Sequence, residues 1–157
     1  MGFTGSGISH TTVGTDQLAP LGFKMSVPTA NDGVAVYTYI KAAAEIIVGV
    51  SAMRANGSGS ASGYGACVVA TAASADMLFV GVAQAIIASG SYGFVLTKGV
   101  GTVKVTTTSA AGDALIMEGT AGNLDDAAVT VARQLGCVTG TSISGGATGE
   151  AYVDFPG

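Results

Sequence analysis

The stretch from Asp76 to Val105 constrains the fold more than any other part of the chain, because it holds three short apolar runs separated by turn residues. Two of the runs, Met77–Ala83 and Tyr92–Thr97, are mostly apolar, whereas the third, Thr102–Thr107, alternates valine with threonine and lysine. Alternation with a period of two over short runs, punctuated by glycine, is typical of strands in a small sandwich or barrel. We therefore predict three strands here and an all-β fold.

Composition narrows the class of protein further. Charged residues make up 10% of the 157 residues, against about 25% in typical globular domains, while hydrophobic residues make up 48%. The 25 glycines, together with many β-branched residues, favour short strands joined by tight turns. So low a charge predicts that part of the surface is buried in an assembly. The alternative is a surface rich in serine, threonine and glycine that is neutral but well hydrated.

Outside the central stretch, the strongest strand pattern is Val34–Lys41, in which valine, threonine and isoleucine alternate with alanine, tyrosine and lysine. A first strand is predicted before it at Leu21–Val27, and another after it at Ile46–Met53. Later strands are predicted at Ala66–Thr71 and Ala114–Glu118, at Ala127–Thr139, which Gly136 divides into one longer and one short strand, and at Ala151–Phe155.

Turn residues separate these runs. The clearest loop is Arg54–Gly65, Thr120–Asp126 is interpreted as a polar turn, and Gly140–Gly149 as a flexible segment. No long fixed repeat is evident, and no strand–helix–strand unit indicates a doubly wound nucleotide-binding fold. These features predict one small domain, a β-barrel or sandwich of short antiparallel strands.

Residues 1–20 are predicted to be a flexible N-terminal arm that precedes a β domain at residues 21–157. The arm is rich in glycine, serine and threonine. Its spaced apolar residues, Phe3, Ile8, Val13 and Leu18, are candidate anchors on which the arm orders against a partner or a neighbouring subunit. On this interpretation, deletion of the arm leaves the thermal stability of the free domain nearly unchanged. The alternative is a frayed terminus.

No catalytic, cofactor-binding or metal-binding constellation stands out, so we expect no enzymatic activity and no cofactor. His10 lies in the glycine-rich arm, a poor position for a Ser-His-Asp triad. Cys67 and Cys137 are far apart and in apolar contexts, which favours two buried thiols over a zinc site or a disulfide. Asp125 and Asp126 form a dense oxygen cluster whose spacing is not that of a calcium loop. Nothing singles out a catalytic pair among the ten acidic residues.

Charge and hydropathy also indicate which partners to expect. The six Lys and Arg residues are scattered and the net charge is −4, so no nucleic-acid partner is expected. No apolar run approaches the ~20 residues that a membrane helix needs, so no membrane partner is expected. The N-terminus shows neither the basic region nor the apolar run of a signal peptide.

From about Leu21 to its end, the chain resembles a group of small head decoration, or cement, proteins of tailed bacteriophages. The resemblance rests on short words that occur in order along the chain. These are Val36–Lys41, Val80–Ala83, Gly90–Val95, Gly99 followed by Val103–Val105, Gly112–Leu115 and Thr120–Gly122. Members of the family often carry a tryptophan where this chain has Phe94.

The resemblance implies a protein without enzymatic activity that binds the outer face of an icosahedral shell, often as a homotrimer. The implied partner is the major capsid protein, and the implied location is the capsid surface of the virion after synthesis in the bacterial host cytoplasm. The arm residues Phe3, Ile8, Val13 and Leu18 would then be capsid or subunit contacts. Two alternatives stay open: another virion structural protein, such as a tail or major shell component, and a small β-barrel enzyme or ligand-binding module.

Overall fold

The fold is seen in a computed structural model of the chain, which describes residues 8–54, 63–70, 79–117, 122–126 and 137–155. These residues form one small all-β domain without a helix, and its antiparallel strands curl into a half-barrel, which confirms the predicted fold class. The strands are β1 (Lys24–Thr29), β2 (Gly33–Lys41), β3 (Ser51–Arg54), β4 (Cys67–Val69), β5 (Phe79–Ala83), β6 (Tyr92–Lys104), β7 (Ala114–Met117), β8 (Leu124–Asp126), β9 (Cys137–Thr139) and β10 (Thr148–Asp154).

Strand β6 is the centre of the sheet. The strand order is β4-β3-β5-β6-β10-β9-β7-β8, while β2 joins through β6 and β1 joins through β2. Every ladder between these strands is antiparallel. Because β6 pairs with β2, β5 and β10, it holds the first and second halves of the chain in one sheet.

Strand β6 also corrects the prediction of two strands with a turn near Gly99. It runs unbroken over Tyr92–Lys104, because β2 pairs with its first half and β10 with its second half. Gly99 has a φ of +119°, and a Cβ atom there would lie 3.0 Å from the Cα atom of Ala35. This glycine therefore allows β2 and β6 to approach closely, and it does not reverse the chain.

Two loops in the first half of the chain pair with each other. Residues 42–50 and 83–91, which we call the first loop pair, are centred on an antiparallel bridge between Ile46 and Ile87. Each of these isoleucines donates its N–H to the other's carbonyl oxygen at 2.9 Å. Each loop ends in a turn whose glycine has a φ of 81° or 80°. Glycine adopts such a backbone without steric cost, so the turns fix where the next strand begins.

The second half of the chain repeats this arrangement, although the sequence shows no repeat of fixed period. Residues 105–113 and 139–147, the second loop pair, are centred on a bridge between Ser109 and Ile143 and end in the same glycine turns. The six backbone hydrogen bonds that join the two loops link equivalent residues in both pairs. Strand β7 also pairs with β8 and β9 in the registers with which β3 pairs with β4 and β5. The chain therefore folds as two similar units that share β6.

The two units are joined where the first loop pair lies against the second half of β6. The Gly49 carbonyl oxygen accepts a hydrogen bond from the Lys104 N–H at 2.8 Å. The side-chain amide of Gln84 accepts from the Thr102 N–H at 2.9 Å and donates to the Thr102 carbonyl oxygen at 3.0 Å. The Gln84 amide forms the two hydrogen bonds that a peptide group of a neighbouring strand would form with Thr102. The edge of β6 is therefore satisfied by a side chain at this residue.

In the first unit, the chain before β1 occupies the equivalent place. Tyr39 stands in β2 where Thr102 stands in β6, and its N–H donates to the Phe23 carbonyl oxygen at 2.8 Å. Its own carbonyl oxygen accepts from the Gly22 N–H at 2.8 Å. The N-terminal segment therefore bonds to β2 in the first unit at the position where Gln84 of the first unit bonds to β6 in the second unit.

Residues 37–40 of β2 and 93–97 of β6 are buried on both faces, and this divides the core into two clusters. Tyr39 and Phe94 lie in the main cluster, with ring centroids 4.8 Å apart. Their neighbours Ile40 and Val95 lie in a smaller cluster together with the two bridging isoleucines of the first loop pair. Both faces of these strands must be apolar, which explains their nearly continuous apolar sequence.

The first strands begin later than the sequence predicts. Strand β1 starts at Lys24, because Pro20 and Phe23 close a turn by a backbone hydrogen bond of 3.0 Å. The predicted strand Ile46–Met53 starts only at Ser51, because the residues before it belong to the first loop pair. At β1 a local turn delays the strand, whereas at β3 backbone pairing with distant residues overrides local propensity.

Two polar stretches are more ordered than predicted. Leu124–Asp126 is strand β8 and not part of a polar turn, because it pairs with β7. Gly140–Gly149, predicted to be flexible, contains Ile143, whose side chain is only 2% exposed. Most of the predicted loop Arg54–Gly65, and the predicted strand from Ala127 up to Gly136, lie outside the described residues.

Candidate binding surface

The structure places three of the four predicted anchors of the N-terminal arm. Ile8 is half-buried and packs against the main core cluster, so its side chain is used within the domain. Val13 and Leu18 present more surface and are 37% and 49% exposed. Phe3 lies outside the described residues. Among the anchors that are described, Val13 and Leu18 are therefore the ones available to a partner.

Residues 8–20 are held to the sheet by backbone contacts. Gly14 donates to the Tyr92 carbonyl oxygen at 3.1 Å and accepts from the Tyr92 N–H at 2.7 Å. The Leu18 N–H donates to the Tyr39 hydroxyl at 3.1 Å. These contacts lie within one chain and need no partner. The division into an arm and a β domain at residue 20 stays a prediction.

These contacts change the result expected when residues 1–20 are deleted. Deletion removes at least three hydrogen bonds and uncovers part of the main cluster, so we expect the free energy of unfolding to fall by about 2–3 kcal/mol. For a chain of this length, Tm should then fall by roughly 4–12 °C. Calorimetry of the truncated protein measures the change, and Leu18→Ala, which keeps the backbone contacts, is the control and should lower Tm less. An unchanged Tm after truncation would support a separate arm.

The turn after residue 18 exposes an apolar group. Leu18, Leu21 and Phe23 are 49%, 36% and 39% exposed. The guanidinium of Arg54 lies 5.4 Å from the ring centroid of the nearby Tyr64. Aromatic residues and arginine are enriched in protein interfaces.

The first loop pair exposes two isoleucines, one in each loop. Ile47 and Ile86 are 39% and 57% exposed, whereas the bridging Ile46 and Ile87 are fully buried. In an antiparallel pair, the residue after one bridge partner lies opposite the residue before the other. Since successive side chains point to opposite faces, we expect Ile47 and Ile86 to lie next to each other on the outer face. We call these two residues the isoleucine tip.

The second loop pair presents a different surface on the same backbone. Where the first pair has Ile47 and Ile86, the second has Ala110 and Ser142. Alanines on the surface of the first pair also become hydroxyl residues in the second. At exposed alanines the exchanges are Ala44 to Thr107 and Ala88 to Ser144, and the half-buried Ala85 becomes Thr141. The first pair is thus apolar at its surface and the second is rich in hydroxyl groups.

Polar residues that the sequence offered as possible sites make structural contacts. The ring of His10 lies 4.6 Å, centroid to centroid, from that of Tyr37. The Thr107 hydroxyl shares its one hydrogen between the carboxylates of Asp125 and Asp126, which ties the second loop pair to β8. Within the described ranges, no group of three or more His, Cys, Asp and Glu residues is placed to hold a metal ion. Across the same part of the chain, no helix is long and apolar enough to span a membrane.

Cys67 and Cys137 are free, buried thiols, as the sequence predicts. Burial raises the pKa of each thiol to about 12, although Arg54 opposes the shift at Cys67. Because the thiolate is the reactive form, we expect both thiols to react slowly with a thiol reagent at pH 8 in the folded protein and quickly in denaturant. A colorimetric thiol assay with and without urea measures this. Equal rates in the two conditions would contradict the burial.

The raised pKa values also give the free energy of unfolding a pH dependence of known sign. Above a pH of about 9, the ordinary thiol pKa, the unfolded chain ionises while the folded chain does not. The contribution of Cys67 and Cys137 to stability is therefore complete below that pH. It is lost progressively as the pH rises toward about 12.

Comparison with known proteins shows a similarity in fold. No protein-family model and no curated protein matches the chain. Among solved structures, it is similar to the N base of the head fiber gp8.5 of bacteriophage phi29, with a TM-score of 0.50. The two are 14% identical, and the match covers 76% of this chain and 93% of that one. At this identity the similarity is one of fold.

Sequence reasoning missed Ile47 and Ile86, although a signal for them exists. Each belongs to an isoleucine doublet, Ile46-Ile47 or Ile86-Ile87. In an extended chain only one member of a doublet can face a given side, so a doublet outside a two-faced core strand indicates one outward isoleucine. The sequence analysis selected the apolar residues of the N-terminal arm instead, because they are isolated among glycine, serine and threonine.

Proposed function

We propose that this chain is a structural protein of a bacteriophage virion that binds the outer surface of the head and stabilises the shell. The observation that carries the proposal is the fold that it has in common with the N base of the phi29 head fiber, over 93% of that chain. Because one fold can host many functions, the properties of the surface must also suit the role.

The surface supports this role in two ways. Only 10% of the residues are charged, which suits a protein whose surface is largely in contact with other proteins. The exposed isoleucine tip and the apolar turn at Leu21 and Phe23 offer contact sites that need no charge. We propose the major capsid protein as the partner and a homotrimer as the form bound, with no catalysis, cofactor, nucleic acid or membrane in the role.

Stabilisation follows from selective binding. A protein that binds the assembled shell and not its free subunits lowers the free energy of the assembled state by mass action. Three linked copies bind more tightly than one, because the second and third contacts form at a high effective concentration. A weak contact per copy is then sufficient.

Quantitative mass spectrometry of purified virions tests the proposal. We expect the chain in the head fraction, at a fixed ratio below that of the major shell protein. Particles that lack it should release DNA at a lower temperature, and added purified protein should restore the original temperature. Absence from virions contradicts the proposal. Recovery with isolated tails, or as the most abundant shell protein, would identify another virion component.

A further inference from the structure

We infer that the isoleucine tip, formed by Ile47 and Ile86, is the part of the chain that inserts into an apolar pocket on the shell subunit. The inference rests on the proposed function and specifies the contact. It starts from a comparison inside the chain. The two loop pairs have one backbone arrangement, so a residue present in one pair and absent from the other is not required by that arrangement.

The second loop pair shows what the backbone requires. The buried positions beneath it are filled by Ser109 and Ile143, and the outer positions carry Ala110 and Ser142. The loop pair forms the same six backbone hydrogen bonds without any exposed isoleucine. The exposed isoleucines of the first pair therefore serve something other than its folding.

The surroundings of the tip define the chemistry of its partner. Ala43, Ala44 and Ala88 are exposed in the same loops, and the charged residue among the exposed positions of the two loops is Glu45. A partner surface that fits them is an uncharged apolar pocket. A lysine or arginine at its rim would complement Glu45.

The size of the tip argues against a second copy of the chain as the partner. The two side chains together expose about as much surface as one fully exposed isoleucine. Burial of one such side chain strengthens binding by roughly 10- to 150-fold. A stable contact between two free proteins buries about 800 Å² on each, far more than two tips offer each other. A repeated lattice that binds several tips at once overcomes this weakness.

Co-sedimentation with purified shells that lack this protein tests the inference. The test variant is Ile47→Ser with Ile86→Ser. The matched control, Ala110→Ser with Ser142→Ala, changes the equivalent positions of the second loop pair. We expect the test variant to bind roughly 10- to 150-fold more weakly, and the control to bind within about twofold of the original protein. Both variants should lower the urea midpoint modestly, because Ile47 is 39% exposed and the Ser142 hydroxyl donates a hydrogen bond to the Ser109 carbonyl oxygen at 3.2 Å. Binding is therefore compared under conditions in which urea unfolding shows both variants to be fully folded.

The outcomes separate the contact from the function. If the original protein and the test variant bind shells equally well, the tip is not the contact, although the proposed function stands. If the original protein does not bind shells at all, the proposed function fails and the tip inference fails with it. Sedimentation of the free proteins completes the test. Self-association that is lost in the test variant would make a second copy the partner and overturn the inference.

Discussion

We expect Gly81→Ala to lower the free energy of unfolding by about 3 kcal/mol, the upper end of the range for overpacking a core. Gly81 lies in β5, and a Cβ atom there would sit 2.9 Å from the carbonyl carbon of Leu96 and still closer to its oxygen. It would also meet the Val95 side chain at 3.1 Å. Because the obstacle is the backbone of β6, no rotamer change relieves it and the two strands must separate. Tm should fall by roughly 6–12 °C.

Two other glycines provide graded controls for this variant. Gly14 has an ordinary φ and open space around its Cβ position, so Gly14→Ala should change stability by no more than about 0.5 kcal/mol. Gly112 also has open space but a φ of +89°, so Gly112→Ala should cost about 1–2 kcal/mol through backbone strain. Urea denaturation of the three variants gives the order. A Gly81 variant as stable as the Gly14 variant would show that β5 and β6 are not paired as described.

The largest loss of stability is expected for Phe94→Ala, about 3–5 kcal/mol. Phe94 lies at the middle of the main core cluster, is 2% exposed and pairs across strands with Tyr39. Its removal leaves a cavity between β2 and β6, where the tight pairing of both strands limits collapse. Thermal and urea unfolding should both register the change.

Phe23→Ala is the matched control for Phe94→Ala. Phe23 is 39% exposed and loses much less contact on truncation, so its cost should be less than half that of Phe94→Ala. Phe94→Leu should fall between the two, which keeps the comparison measurable if the alanine variant does not fold. Similar costs at both phenylalanines would contradict the position of Phe94 in the core.

Alternation was sufficient to predict the fold class and the best strands. β2 at Gly33–Lys41 and β10 at Thr148–Asp154 lie close to their predicted positions, since each has side chains that fit a pleated surface. The break predicted near Gly99 was wrong for a physical reason. Glycine is suited both to a turn and to a close approach between two strands. The sequence alone does not distinguish these two roles, because the neighbouring strand decides between them.

The internal repeat could not be found by a search for a fixed period. Ile87 follows Ile46 by 41 residues, whereas Ile143 follows Ser109 by 34, so the two units differ in spacing. Equivalent positions also have few identities, because the backbone hydrogen bonds that define the loop pairs accept almost any side chain. The candidate surface depends on this repeat. Only the comparison between the two loop pairs shows that the backbone arrangement does not require exposed isoleucines at positions 47 and 86.

Electron cryo-microscopy of phage heads, with and without this chain, tests the central claim most directly. The account predicts density on the outer face of the head that the half-barrel fits and that is missing from heads without the chain. The isoleucine tip should point toward the shell in that density. The account would be contradicted if heads with and without the chain were identical, or if the half-barrel fitted density in the tail or in the shell layer itself.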